Sequence, residues 1–262
     1  MAAILSGLTR LKSLYLSFEV PQFRVHGASR RPPVLTRVAL PALTDFDFSG
    51  TSEYLEDMVS RIDASLDCID MAFFDERVSD IPLLRDFIAR TKILQAPHRA
   101  DISLSSFNVR ISLFQRKGGV DFKVLNILWY TSDSHLFTLA QACSWLLPPL
   151  PYLEQLGIYR YKSEFWSSQW LNEVEDTQWM ELLRRFITVK DLVIDEPFVL
   201  SVASALQGLV RERVTEVLPV LQNISLEGFQ SSDPVPDGIA KFIAARGLSG
   251  CSVIVHHRDR KQ

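Results

Sequence analysis

Cysteine is scarce and odd in number: Cys68, Cys143 and Cys251 are the only three in 262 residues, and they lie far apart. That argues against a disulfide scaffold and for a reducing compartment. Long apolar runs are missing too. The longest candidate, Leu136–Leu150, is broken by Gln141, Ser144 and the pair Pro148–Pro149, so no membrane-spanning helix is expected. No basic stretch leads into an apolar core after Met1, so the start of the chain does not read as a secretory signal. Net charge is only −3, which offers no global field for nucleic acid or an anionic membrane. The expectation is a cytoplasmic or nuclear protein with no membrane and no nucleic-acid partner.

Signatures of catalysis are also thin. No serine sits in a G-x-S-x-G elbow. Gly118–Gly119 is not followed by the Lys-Ser/Thr of a phosphate loop and reads as a turn. Asp133, Ser134 and His135 are adjacent, whereas a catalytic triad converges from separate elements; Ser134 reads instead as a helix N-cap. His256 and His257 are neighbours on an expected strand and face opposite sides, with no nearby Cys or second His cluster to complete a metal site. Cys143 falls in an apolar stripe and reads as a packed side chain. Asp45, Asp47, Asp67 and Asp70 flank strand residues and read as solvent-facing or turn-capping. No enzyme, no metal and no cofactor is expected.

What is present is a repeat. A large apolar residue recurs with others three, six and eight positions later: Leu8, Leu11, Leu14, Leu16; Leu40, Leu43, Phe46, Phe48; Leu150, Leu153, Leu156, Ile158; Phe186, Val189, Leu192, Ile194; Leu218, Leu221, Ile224, Leu226. Shorter copies read Leu66, Ile69, Met71 and Phe122, Leu125, Ile127. Positions two apart share one face of a strand, and the earlier step of three suits a turn leading into it. Pro follows the first Leu in three copies, at Pro41, Pro151 and Pro219. This is the L-x-x-L-x-L frame of leucine-rich repeats. From Leu14 onward the strand markers are spaced 32, 23, 56, 31, 36 and 32 residues apart. The interval of 56 holds a weaker alternating run, Ile102, Leu104, Val109, Ile111, Leu113, which predicts an extra strand or hairpin.

Helical stripes lie between the phrases. Tyr54, Leu55, Met58 and Ile62 follow Thr51 or Ser52 as cap. Leu84, Phe87 and Ile88 follow Asp80 as cap and Pro82 in the first turn. Leu136, Leu139, Ala140, Cys143 and Leu147 end at Pro148. Trp179, Leu182, Leu183 and Phe186 follow the acidic turn Glu173–Asp176. Phe198, Val202, Leu206 and Leu209 follow Pro197. Ile239, Phe242 and Ile243 precede Gly247, read as the residue just past the helix. Strand and helix alternate, which predicts an α/β architecture. The expectation is a single domain over residues 1–262, an irregular leucine-rich-repeat-like solenoid. Its parallel strands, neighbours in chain order, form one face and its helices the other.

The phrases LPALTDFDFSGTSEYLEDMVSRIDA (Leu40–Ala64), LDCIDMAFFDERVSDIPLLRDFI (Leu66–Ile88), LPPLPYLEQLGIY (Leu147–Tyr159) and LPVLQNISLEGF (Leu218–Phe229) resemble those of fungal F-box proteins, mostly from mushroom-forming fungi. Their C-terminal region is a divergent leucine-rich-repeat-like array. The ending IAKFIAARGLSGCSVIVHHRD (Ile239–Asp259) is similar to that group's last helix and strand. The resemblance implies the substrate-recognition region of a ubiquitin-ligase subunit, holding an unidentified protein substrate. It brings no catalytic or ligand motif. In that group an F-box lies upstream and docks the cullin-ligase adaptor. Here Met1 stands directly before a repeat phrase and no helical module is read ahead of Leu8. Adaptor binding is therefore expected only where an F-box exists upstream, and no docking residue carries over. The alternative is a stand-alone leucine-rich-repeat binding protein, or a truncated remnant of one, without a ligase connection.

Two segments read as candidate contacts for a partner protein. The first is the basic loop 23–37, with Arg24, Arg30 and Arg31 beside His26, Gly27 and Pro32–Pro33; a solvated loop is the plainer reading and an acidic partner the functional one. The second is the aromatic run Tyr159, Tyr161, Phe165, Trp166 and Trp170. Tyr, Trp and Arg are enriched at interface hot spots, and a loop folded onto the rim is the plainer reading.

Overall fold

The structure is a computed structural model. It describes residues 7–18, 37–74, 81–91, 96–130, 135–147, 149–161, 171, 174–209, 213–229 and 233–258. Among them twelve strands and six helices follow one another. The first half holds β1 Ser13–Ser17, β2 Val38–Leu40, β3 Asp45–Gly50, α1 Ser52–Val59, β4 Ile62–Ala64, β5 Cys68–Phe73, α2 Pro82–Arg90, β6 Arg99–Leu104, β7 Asn108–Lys117 and β8 Val120–Tyr130. The second holds α3 His135–Trp145, β9 Gln155–Arg160, α4 Asp176–Leu183, β10 Asp191–Asp195, α5 Glu196–Gln207, β11 Asn223–Glu227, α6 Asp237–Leu248 and β12 Ile254–Arg258.

Ten strands make one sheet in the order β1-β3-β5-β8-β7-β6-β9-β10-β11-β12, with β1 and β12 at its edges. Every neighbouring pair is parallel except those of β7, which is antiparallel to both β6 and β8. β2 and β4 form a separate parallel pair. The chain is thus mixed α/β, with a large, mostly parallel, open sheet.

The repeated phrase has a direct physical meaning. In each of the five full copies the fourth residue donates its N–H to the carbonyl of the first: Leu11 to Leu8, Leu43 to Leu40, Leu153 to Leu150, Val189 to Phe186 and Leu221 to Leu218, at 3.0–3.3 Å. The step of three is a turn, and Pro41, Pro151 and Pro219 occupy its second position, where a fixed φ is favourable. The next apolar pair enters the strand and points to one side. Phe46 and Phe48, Ile69 and Met71, Leu156 and Ile158, Leu192 and Ile194, Ile224 and Leu226 are all buried there. They join helix residues such as Leu55, Phe87, Trp179, Phe198 and Phe242 in one cluster. Each such aliphatic side chain contributes about 1.5–3 kcal/mol by leaving water.

All seven expected strands form and all are parallel, but their chain order is broken in the middle. Leu125–Ile127 and Leu156–Ile158 are not neighbours, because β7 and β6 lie between β8 and β9. The long interval holds two further strands, β6 and β7, within the extra strand or hairpin expected there. Gly118 and Gly119, at φ of 60° and 83°, form the two-residue loop of a tight hairpin between Lys117 and Val120; positive φ at both central residues matches the strand twist. The hairpin folds back, so β8 rather than β6 pairs with β5, and β6 pairs with β9.

Some local expectations need correction. Phe122 is 51% exposed and Leu8 41% exposed, so neither is a core anchor. Leu11, Leu14 and Leu16 are only partly buried, because β1 is an edge with one neighbour. Gly247 lies inside α6, and Gly250 takes the left-handed conformation at φ 76° instead. Asp195 caps α5 through Glu196 N–H at 3.1 Å. Thr51 stands at the cap of α1 without a side-chain hydrogen bond. Asp45 and Asp47 lie within β3 and Asp70 within β5.

Candidate protein-binding face

The strand residues that alternate with the core positions form the other side of the sheet. Their register gives one row across all ten strands. It runs from Tyr15 through Asp47, Asp70 and Asn126 to Ser112 and Asp101, then to Gly157, Val193, Ser225 and His256. In seven of the strands these are the positions between the last two apolar residues of a phrase, and Asp101, Ser112 and His256 take the matching place in β6, β7 and β12. Neither Val193 nor Leu128, both nearly buried on this side, belongs to the cluster that joins strands to helices.

Hydrogen bonds run along this face from strand to strand. Ser112 donates to Asn126 at 2.8 Å, and Asn126 donates to Asp70 at 2.7 Å. Lys123 reaches the other Asp70 oxygen at 3.0 Å. Arg99 grips Asp101 with two nitrogens at 2.9 and 2.6 Å, donates to Asp121 at 3.1 Å and lies 4.4 Å over the Phe114 ring. The Asp101 hydrogen bond raises the Arg99 pKa further. Asn223 donates to Asp191 at 2.7 Å, with His256 at 3.3 Å from its carbonyl oxygen. Cross-strand pairs of this kind set register and stiffen the surface.

Of the aromatic run, Tyr159 and Tyr161 are described. Tyr159 belongs to β9 rather than to a loop, and its ring lies over Gly157. A Cβ on Gly157 would come within 2.1 Å of that ring, so a larger residue there would require the ring to move. Burial pushes the Tyr159 phenol well above its ordinary pKa, and Asp101 and Glu227 add to the effect. Tyr161 follows at the strand's end. Its hydroxyl accepts from Arg110 at 3.0 Å, and the Arg110 guanidinium lies 4.6 Å over its ring, a cation–π contact. Phe165, Trp166, Trp170, Arg24, Arg30 and Arg31 lie outside the described residues, as do Asp80, Asp133 and Ser134. The structure therefore places two of the eight candidate contacts, both on or beside the open face.

That face as a whole was not singled out from sequence, although its residues were visible between the repeated apolar positions. Among the described residues no group of three His, Cys, Asp or Glu converges as a metal site. No helix there is long and apolar enough to cross a membrane. All three cysteines are free, and burial pushes the Cys143 thiol up to about 12, which keeps it protonated and unreactive. Near the start of β5 a cavity of about 450 Å³ is lined by Asp63, Ser65, Asp67, Phe87 and Arg90. Comparison of the chain with protein-family models, curated proteins and solved structures finds no match.

Proposed function

We propose that this chain is a leucine-rich-repeat-like solenoid that binds another protein across the open face of its sheet and performs no chemistry of its own. The observation that carries this reading is the row of side chains, one from each of ten adjacent strands, on the side of the sheet away from the helix layer, exposed at Tyr15 and His256 and buried at Asn126, Ser112, Gly157, Val193 and Ser225. Such a surface suits partner recognition, because its side chains vary without disturbing the buried phrase. The resemblance to fungal F-box proteins makes the partner a ligase substrate, and the free cysteines fit a cytoplasmic or nuclear location.

The test is affinity capture from cell extract with the natural chain and with Ser103→Arg. Ser103 lies between Arg110 and Tyr159 on the face, so the added guanidinium obstructs its centre. Proteins retained by the natural chain and lost by the variant, at equal melting temperature, support the reading; an unchanged set removes the face from it. Co-capture of the cullin-ligase adaptor with the substrate supports the ligase role. Partners without the adaptor support the stand-alone reading.

A further inference from the structure

We infer that the open face takes an acidic side chain of its partner, an Asp or Glu carboxylate, on the guanidinium of Arg110, with a large apolar side chain of the same segment on the nearby ring of Tyr130. The inference rests on the protein-binding reading above and adds the partner's chemistry to it. What carries it is that Arg110 is a half-buried cation without an anion. It stands on the open side of β7, between Ser103 of β6 and Leu128 of β8. One guanidinium nitrogen, Nη2, donates to the Tyr161 hydroxyl at 3.0 Å, and the group lies 4.6 Å over the Tyr161 ring. Both partners are neutral. The Nε is buried and has no acceptor, and Asn108 Oδ1, two residues away on the same side of β7, is buried without a donor.

Other cations of this face have their anions. Lys123 pairs with Asp70 at 3.0 Å, Arg99 with Asp101 at 2.6 Å, and Arg116 with Asp121 at 3.2 Å. At the far edge Arg258 stands opposite Glu227 in register. Around Arg110 the register brings no carboxylate. Its own row, from Ser17 of β1 to Tyr159 of β9, otherwise holds Ser49, Ala72, Leu128 and Ser103. In the adjoining row Asp70 and Asp101 are taken up by Lys123 and Arg99, and Asp47 lies three strands away on β3. A guanidinium drawn partly out of water is costly unless it is paired. A hydroxyl and a ring face return less than a carboxylate, whose bonds to a guanidinium are charge-assisted on both sides.

The neighbouring surface is apolar. Tyr130 is 42% exposed, and its ring centre lies 5.3 Å from that of Phe74. It stands opposite Asn108 in register, two residues from Arg110 along the strand direction. Two strand residues span about 7 Å, which is also the spacing of side chains on one side of an extended segment. The occupant therefore presents an acid and, two positions away, a large apolar residue. Nucleic acid needs several cations along its phosphates, and one unpaired arginine next to a row of aspartates does not supply them.

The probe is a phage-displayed library of random peptides about twelve residues long, enough to cover both positions, selected against the whole chain. A recovered peptide, and its counterpart with the acid replaced by the amide, are then titrated by calorimetry against the natural chain, Arg110→Gln and Arg110→Lys. The expected result is an excess of Asp and Glu at one position of the recovered peptides. Removing either charge should weaken binding roughly tenfold or more, about one lost charge-assisted contact. The two losses should not add, so the amide peptide binds the natural chain and Arg110→Gln about equally. Arg110→Lys keeps the charge without the planar fork and should hold the acidic peptide with intermediate affinity. Equal melting temperatures show that the fold is intact, and Arg110→Lys carries the comparison if Arg110→Gln does not fold. Peptides without an acidic excess, acidic peptides bound equally by the natural chain and the Arg110 variants, or losses that add, overturn the inference and leave the protein-binding reading standing. A selection that recovers no peptide above background overturns both.

Discussion

Arg246 is 1% exposed and has no carboxylate partner among the described residues. Its guanidinium instead donates to backbone carbonyls: Leu218 at 3.1 Å, Pro219 at 2.9 Å and Leu221 at 3.2 Å. Those three belong to the turn that opens the last full repeat phrase. Leu218 is the one described non-glycine residue with positive φ, at 48°, a conformation that side chains other than glycine rarely adopt. The Leu218 carbonyl also accepts from Leu221 N–H at 3.0 Å, so the buried cation adds a second donor there, supplies donors to Pro219 and Leu221, and holds the strained residue. Burial lowers the Arg246 pKa, yet an arginine stays charged at any physiological pH. Arg246→Ala removes all these donors at once and leaves buried carbonyls unpaired. The expected loss is about 3–5 kcal/mol of stability, read as a lower urea midpoint. A midpoint unchanged from the natural chain would mean that the turn does not depend on the arginine.

At the scale of the element, the strand phrase sets which residues are buried. Leu192 is fully buried in β10, flanked in register by Leu156 and Ile224. Leu192→Asp places a carboxylate where no cation can reach it, at a cost of several kcal/mol; the chain is expected to be unfolded at room temperature by circular dichroism. Leu14→Asp makes the same change in β1, where the residue is only partly buried, and should leave the fold intact. Equal behaviour of the two variants would remove the distinction between central and edge strands. This contrast also marks how far sequence reading reaches. Leu192 and Leu14 hold the same place in the phrase, so periodicity assigns both to strands on the same face. It carries no information on how many neighbours a strand has. The same gap explains the meander. Val109, Ile111 and Leu113 alternate as a strand should, and Gly118–Gly119 marks a turn, but neither states that the hairpin folds back against β5. That follows from pairing between residues as distant as Ile69 and Leu125. The binding face was legible in principle, since Asp47, Asp70 and Gly157 occupy the variable place in their phrases. Aromatic and basic loops stand out more readily in the sequence, because a polar residue in an alternating strand reads first as ordinary solvent exposure.

At the scale of the whole molecule, the sheet is held unevenly. β9, β10 and β11 each have two parallel neighbours, and their core-facing strand residues, Leu156, Ile158, Leu192, Ile194, Ile224 and Leu226, are fully buried. β1 pairs only with β3, and β12 only with β11. In a sheet built by stacking, a strand opens when its neighbour contacts and core side chains are released together. Opening an end strand breaks one ladder, and opening an inner strand breaks two. The reversed hairpin adds a further constraint. β8 pairs with β5, while β6, earlier in the chain, pairs with β9. The two halves of the sheet are therefore tied through the same three-strand meander, which cannot be released from one side alone. Hydrogen exchange should then show the fastest opening in β1 and β12 and the strongest protection in β6–β11. The amides of Leu14 and Leu16, directed toward β3, should exchange at least about a hundredfold faster than those of Leu192 and Ile194. That ratio corresponds to about 2.7 kcal/mol in opening free energy, close to the contribution of one fully buried aliphatic side chain. Peptide-resolved mass spectrometry reads this directly. Equal protection in β1 and β10 would show that the edge opens only with the whole sheet, and the stacking account of its stability would fail.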